Sequence, residues 1–180
     1  MTEKKEKAVR GVELKLVSEL MKNSRRSDRE LAKAVGVSEP TIGRLIKKLE
    51  KEGIIQEYTM IPDFAKLGYE LMAITLAKMD APPSAEIVKK TLEISWENEP
   101  LWPETIMIER VMGIGYNGIV VSVHKDYSAL SRFRAFLEQF SYLGFTSIDS
   151  VIVNLNDKIH YKSLTLSTVA RDLSTQKEKE

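Results

Sequence analysis

Residues 38–53 read SEPTIGRLIKKLEKEG, and within them Arg44, Lys47 and Lys51 recur at spacings of three and four. Side chains so spaced share one face of an α-helix. A guanidinium there can fork onto the O6 and N7 acceptors of guanine, while lysines meet phosphates as point charges. Pro40, Thr41, Gly43 and Lys48 flank the same face. The amide end of the helix, near Ser38 and Thr41, suits a phosphate. Glu39 is the one acid among them; it can cap the helix or accept from a cytosine amino group. For any single lysine, a solvated helix face is the better explanation, so the weight rests on the assembled unit.

Three helical patterns position these groups. Leu14, Leu16, Val17, Leu20 and Met21 fill one arc of the first. Ser27-Asp28-Arg29-Glu30 opens the second as a capping box, and Leu31, Ala32 and Val35 give it an apolar side. Gly36 suits a tight exit. Ser38 then caps the third, with Pro40 in the first turn, where its missing N–H costs nothing. Ile42, Leu45, Ile46 and Leu49 recur at i, i+3, i+4 and i+7 and must face the other two helices. Gly53 ends the helix, and 54–59 reads as a strand. Two short helices joined by a tight turn, the second cationic outside, form a helix-turn-helix. Arg25, Arg26 and Arg29 stand at the start of its first helix, where contact with a nucleic-acid backbone is natural.

Charge supports this division of labour. Residues 1–57 carry 14 Lys+Arg against 10 Asp+Glu, net +4, and the remainder carries 13 against 16, net −3. The absence of cysteine excludes disulfides, thiolate metal sites and cysteine nucleophiles. No apolar run approaches the roughly 20 residues a bilayer crossing needs. The charged start MTEKKEKAVRG lacks the apolar run of a secretory signal, so a cytoplasmic location is expected.

RELAKAVGVSEPTIGRLIKKLEKEGIIQEYTMI, followed by KLGY, resembles the DNA-binding region of the leucine-responsive, AsnC-type (feast/famine) transcription regulators over residues 13–69. The matching elements are the ELA of the second helix, the VGVS turn, the TI…I..LE..GII run and the trailing LGY. The resemblance implies a winged helix-turn-helix that binds double-stranded DNA as a dimer.

Behind a connector at 58–69, residues 70–160 read as βαββαβ. Strands are expected over 70–79, 106–114, 116–124 and 146–155, and helices after Ser84 and after Asp126. This is a ferredoxin-like plan, with both helices on one face of an antiparallel sheet. The whole chain is thus α+β: a winged helix-turn-helix (1–57), then a ferredoxin-like oligomerisation and effector domain. Residues 161–180 are expected as a further strand or a partly disordered tail. One sheet face lacks helices, and a second subunit would cover it. Two related recognition helices could then read a palindromic site. The resemblance adds that such domains pair through their sheets, often assemble further, and bind amino-acid effectors between subunits.

The candidate effector segment is VMGIGYNGIVV, with Gly113, Gly115 and Tyr116; Asn117 stands where the family commonly has aspartate. An amide pairs less strongly than a carboxylate with a ligand ammonium. A plain hairpin turn, or a regulator that has lost its ligand, fits the same residues. Trp96 and Trp102 in SWENEPLWPETI would line a pocket, bury a subunit seam or plug the local core.

Neither a nucleophile motif nor a metal-ligand spacing occurs, so no cofactor, metal or catalysis is expected. His124 and His160, the only histidines, are expected at the surface. The rival reading is a tetrapyrrole (sirohaem) decarboxylase-like enzyme, which resembles this family in its two-domain plan. It would need residues such as His124 and Arg110 to converge on a carboxylate-rich substrate.

Overall fold

The computed structural model describes residues 11–81, 84–87, 89, 104–139, 144–159 and 164–175. Two compact units form, one from 1–61 with 161–180, the other from 62–160. The first contains α1 (Val12–Lys22), α2 (Asp28–Val35) and α3 (Glu39–Lys51). Leu16, Leu31, Ile42 and Leu49 are fully or almost fully buried where the three helices meet, with Leu20, Ala32 and Val35 around them.

The caps differ in kind. Ser27 Oγ accepts from the Glu30 amide at 3.3 Å, and the Glu30 carboxylate accepts from the Ser27 amide at 2.8 Å. That reciprocal box starts α2, and Gly36, at φ 88°, ends it. Ser38 occupies the same position before α3, yet its side chain caps nothing. Its Oγ lies 2.8 Å from Thr41 Oγ1 instead.

Two expectations are corrected in this unit. Residues 54–59 are irregular and not a strand. The amides of Ile54 and Ile55 both bond back to Leu49 O, at 2.9 and 3.2 Å, and both side chains pack on the helical core. Residues 167–175 are neither strand nor tail. They form α5 (Ser167–Thr175), which returns to pack on α1. Ala170 is fully buried, and its small side chain lets the backbones approach: Ser18 Oγ donates to Ala170 O at 2.7 Å. The buried serine thereby has the partner that burial of a hydroxyl requires.

The second unit holds β1 (Leu71–Met79), β2 (Thr105–Gly113), β3 (Tyr116–His124), α4 (Tyr127–Glu138) and β4 (Phe145–Asn154). Residues 85–87 and 89 are helical, started by Ser84 Oγ accepting from the Ile87 amide at 3.2 Å. The strands run in the order β2-β3-β1-β4, with every neighbouring pair antiparallel. This is the ferredoxin-like sheet that the strand pattern predicts. Asp126 caps α4 by accepting from the Ala129 amide at 2.7 Å.

Strand parity sorts the sheet into two faces. Leu71, Ala73, Thr75 and Ala77 pair with His124, Ser122, Val120 and Gly118. This face is buried, and Ala129, Leu130, Phe133 and Leu137 are the buried residues of α4. Met72, Ile74 and Leu76 turn the other way with Val121, Ile119 and Val151, all half-buried except Val151, which is 60% exposed.

His124 therefore corrects a surface expectation: it is fully buried. Its two ring nitrogens lie 2.8 Å from Ser122 Oγ and 2.9 Å from Glu104 Oε2, and Phe133 stacks at 5.1 Å. Gly118, Val120 and Ser122 of β3 take the covered face, and position 124 continues that series. His160, Trp96 and Trp102 lie outside the described residues.

Removing the Ser27 hydroxyl leaves a helix-start amide without its acceptor. Ser27→Ala should cost about 1 kcal/mol, read as a lower urea midpoint. An unchanged midpoint would show that the box does not hold α2.

Candidate nucleic-acid interface

The burial of Ile42 and Leu49 decides what α3 shows to solvent. Glu39, Pro40, Arg44, Lys47 and Lys51 are exposed on it, Ser38 is exposed just before it, and Thr41 and Gly43 are half-buried. From Arg44 to Lys51 the helix rises about 10 Å. The Arg44 guanidinium donates to Thr41 Oγ1 at 3.2 Å, and Thr41 in turn meets Ser38. A Cβ added at Gly43 would sit 3.7 Å from Asp28 Oδ2, an ordinary contact, so the protein's own packing does not demand glycine there.

Two of the expected cations are not part of this open ridge. Lys48 is half-buried and pairs with Glu13 of α1, with Glu52 at 3.9 Å on its other side. The hydrogen bond with Glu13 is the main cause holding its ammonium pKa above the usual value. Arg26 is half-buried and pairs with Glu19. Lys22 joins the same carboxylate at 2.6 Å. Lys48 lies on α3 as its spacing predicts, while Arg26 falls in the loop before α2 and not on that helix; the acids that claim both stand on α1, outside any local motif. Arg25 and Arg29 remain exposed.

In the second unit the hairpin segment is occupied by its own backbone chemistry. Ile114 and Gly115 sit at φ 43° and 84°, the positive pair that a two-residue I′ turn uses. Asn117 clamps the end of β1: its Oδ1 accepts from Met79 N and its Nδ2 donates to Met79 O, both at 2.9 Å. Tyr116 donates to Asp149 Oδ2 at 2.8 Å. A Cβ on Gly118, which belongs to the same VMGIGYNGIVV segment, would meet Met79 Cε at 3.2 Å and Ala77 Cβ at 3.4 Å, a tight approach. Gly113 and Gly115 have open space around them.

Arg110 and His124 do not converge. Arg110 pairs with Gly118, six residues along β3 from His124, a separation of roughly 20 Å. Among the described residues, no group of three or more His, Asp or Glu could hold a metal. No helix is long and apolar enough to cross a membrane, among the described residues.

Residues 10–56 match the winged helix-turn-helix DNA-binding family. The HTH-type transcriptional regulator PH0061 of Pyrococcus horikoshii is 46% identical over 77 residues, 43% of this chain and 51% of that protein. FL11, an HTH-type transcriptional regulator of Pyrococcus furiosus, is 27% identical over 122 residues, 68% of this chain and 75% of FL11. The chain spans about half the length of the first curated relatives it matches. In three dimensions, the crystal structure of PH0061 superposes with a TM-score of 0.68 at 29% identity, over 88% of this chain and 99% of that one. LrpC of B. subtilis shares the fold, with a TM-score of 0.62 at 22% identity, over 87% of this chain and all of LrpC. The chain has the Lrp/AsnC-type fold.

The Glu19 cluster carries a pH dependence. The Lys22 hydrogen bond, and after it that of Arg26, hold the Glu19 carboxyl below its usual range against the opposing effect of burial. A carboxyl lowered in the folded state contributes stability above its unfolded pKa and loses it as pH falls through the folded value. Glu19→Gln should therefore lower the urea midpoint at neutral pH and converge with the parent in acid below the carboxylate range. A gap that stays constant across that range would contradict the cluster.

Proposed function

We propose that this Lrp/AsnC-type chain is a sequence-specific, DNA-binding transcription regulator that acts in the cytoplasm as a homodimer or larger assembly. The observation that carries the reading is the outer ridge of α3. Arg44, Lys47 and Lys51 are all exposed there, while Lys48 and Arg26 are neutralised against α1. A helix so presented fits a major groove.

In this reading Arg44 reads guanine, and Lys47 and Lys51 hold phosphates beside the helix. Ser38, Thr41 and the first-turn amides face a further phosphate. Pro40 and Gly43 keep the surface low for close approach, Glu39 either caps the helix or meets a cytosine amino group, and Arg25 touches the flanking backbone. The dimer forms through the sheet face opposite α4, where Ile74, Leu76, Ile119 and Val121 are half-buried and Val151 is exposed. Two copies related by a dyad then read a palindromic site.

An amino acid is the effector class we propose, near Gly113, Gly115, Tyr116 and Asn117. Its support is the fold neighbour from Neisseria meningitidis, the regulator NMB0573, which was solved as an L-Met complex. Asn117 and Tyr116 would have to release Met79 and Asp149 to reach it, or the ligand would meet the glycine backbone alone. Catalysis is not part of the reading: the relatives are named as regulators, and Arg110 stands far from His124.

Selection of bound sites from random duplexes at two salt concentrations tests the reading. It should enrich a palindrome, with affinity falling steeply as salt rises. Arg44→Ala should cost about 1–3 kcal/mol of discrimination at one base pair per half-site, and Lys47→Ala should weaken all sequences alike and flatten the salt slope. Recovery of no preferred sequence would overturn the function, and an unchanged base preference in Arg44→Ala would overturn the role of that side chain.

A further inference from the structure

Two serines precede helices at equivalent positions in the first unit, and they are used differently. Ser27 closes a full capping box on α2. Ser38 leaves α3 without a side-chain cap, although a serine cap is usually worth about 1 kcal/mol. Its hydroxyl lies 2.8 Å from Thr41 Oγ1 instead, and Thr41 Oγ1 accepts from Arg44 Nη2 at 3.2 Å. With Arg44 as donor to Thr41, the threonine's own proton remains to point at Ser38. The three side chains form one line of hydrogen bonds along the start of α3, ending at the exposed guanidinium.

An exposed arginine carries several freely rotating bonds, and ordering them on binding costs conformational entropy. A guanidinium already held along its helix loses less of that freedom per bond it forms with a base. Thr41 suits the task by type. Its β-branched stem has few rotamers in a helix, and its single oxygen can accept from Arg44 while donating backward. Nothing else in the described contacts of Arg44 restrains it.

We infer that Thr41 is a positioning residue for base discrimination: with Ser38 behind it, it holds the Arg44 guanidinium in the orientation that reads DNA. The inference rests on the proposed DNA-binding function and deepens it. It also explains why Ser38 does not cap, since its hydroxyl is committed to this line.

The test is a double-mutant cycle on the selected duplex against a random duplex. Thr41→Val keeps the shape and removes the hydroxyl. It should lower the ratio of specific to non-specific affinity about three- to tenfold, the worth of one hydrogen bond. Thr41→Ser should restore the ratio. In an Arg44→Ala background, Thr41→Val should cause no further loss. Ser38→Ala should reproduce part of the drop with no change in the urea midpoint, and it supplies the measurement if Thr41→Val does not fold. The inference is overturned if Thr41→Val keeps the parent ratio, if Thr41→Ser fails to restore it, or if Thr41→Val costs as much without Arg44 as with it. Failure of the unsubstituted chain to prefer any duplex would instead overturn the proposed function itself.

Discussion

One apolar stripe on α3 governs the rest. Ile42 and Leu49 are fully buried, with Leu45 and Ile46 packed beside them. Each fully buried side chain of this size contributes about 1.5–3 kcal/mol relative to exposure. Rotating the helix would surrender that burial, so the opposite side has no choice of orientation. Arg44, Lys47 and Lys51 face outward because of where the isoleucines and leucines must go, not because of anything the cations do. The capping box of α2 and the left-handed Gly36 serve the same end by setting the platform on which α3 lies.

A second sorting follows from the acids of α1. Glu13 and Glu19 reach the two cations closest to the helix packing, Lys48 and Arg26, and leave the outer ridge unpaired. A cation already paired would have to break that pair to meet a phosphate. The unpaired ridge has no such cost and gains fully from counterion release. The arrangement thus divides one basic segment into cations that hold the fold and cations that remain available. In the other unit an analogous division runs across the sheet. The face toward α4 carries a buried, fully partnered His124, while Met72, Ile74, Leu76, Ile119 and Val121 on the other face are half-buried.

Much of this was legible in the residues because it depends on short-range chemistry. The i, i+3, i+4, i+7 stripe, the Ser27–Glu30 box and Gly36 place α2 and α3 within a residue or two. Alternation in Ile119, Val121 and Val123 finds β3 with its bounds intact. What was missed depended on partners far along the chain. Lys48 and Arg26 looked free because Glu13 and Glu19 lie on another helix. His124 looked exposed because its polar partner Glu104 stands in the turn before β2, twenty residues away in the chain. Leu166, Val169, Ala170 and Leu173 carry helical spacing, yet read as weakly apolar; only α1, with Ser18 turned toward it, makes a helix there worth forming. Asn117 invited comparison with a ligand-binding carboxylate, while its geometry serves the backbone of Met79.

The chain's lack of cysteine allows a direct test of which side of α3 meets DNA. A single cysteine introduced at Lys47, Lys51, Lys48 or Arg26 can carry a photo-crosslinker of short reach, used on the selected duplex. The account predicts strong crosslinks from Lys47→Cys and Lys51→Cys and weak ones from Lys48→Cys and Arg26→Cys. Crosslinks of the opposite pattern, or equal from all four, would show that the burial of Ile42 and Leu49 does not decide the DNA-facing side.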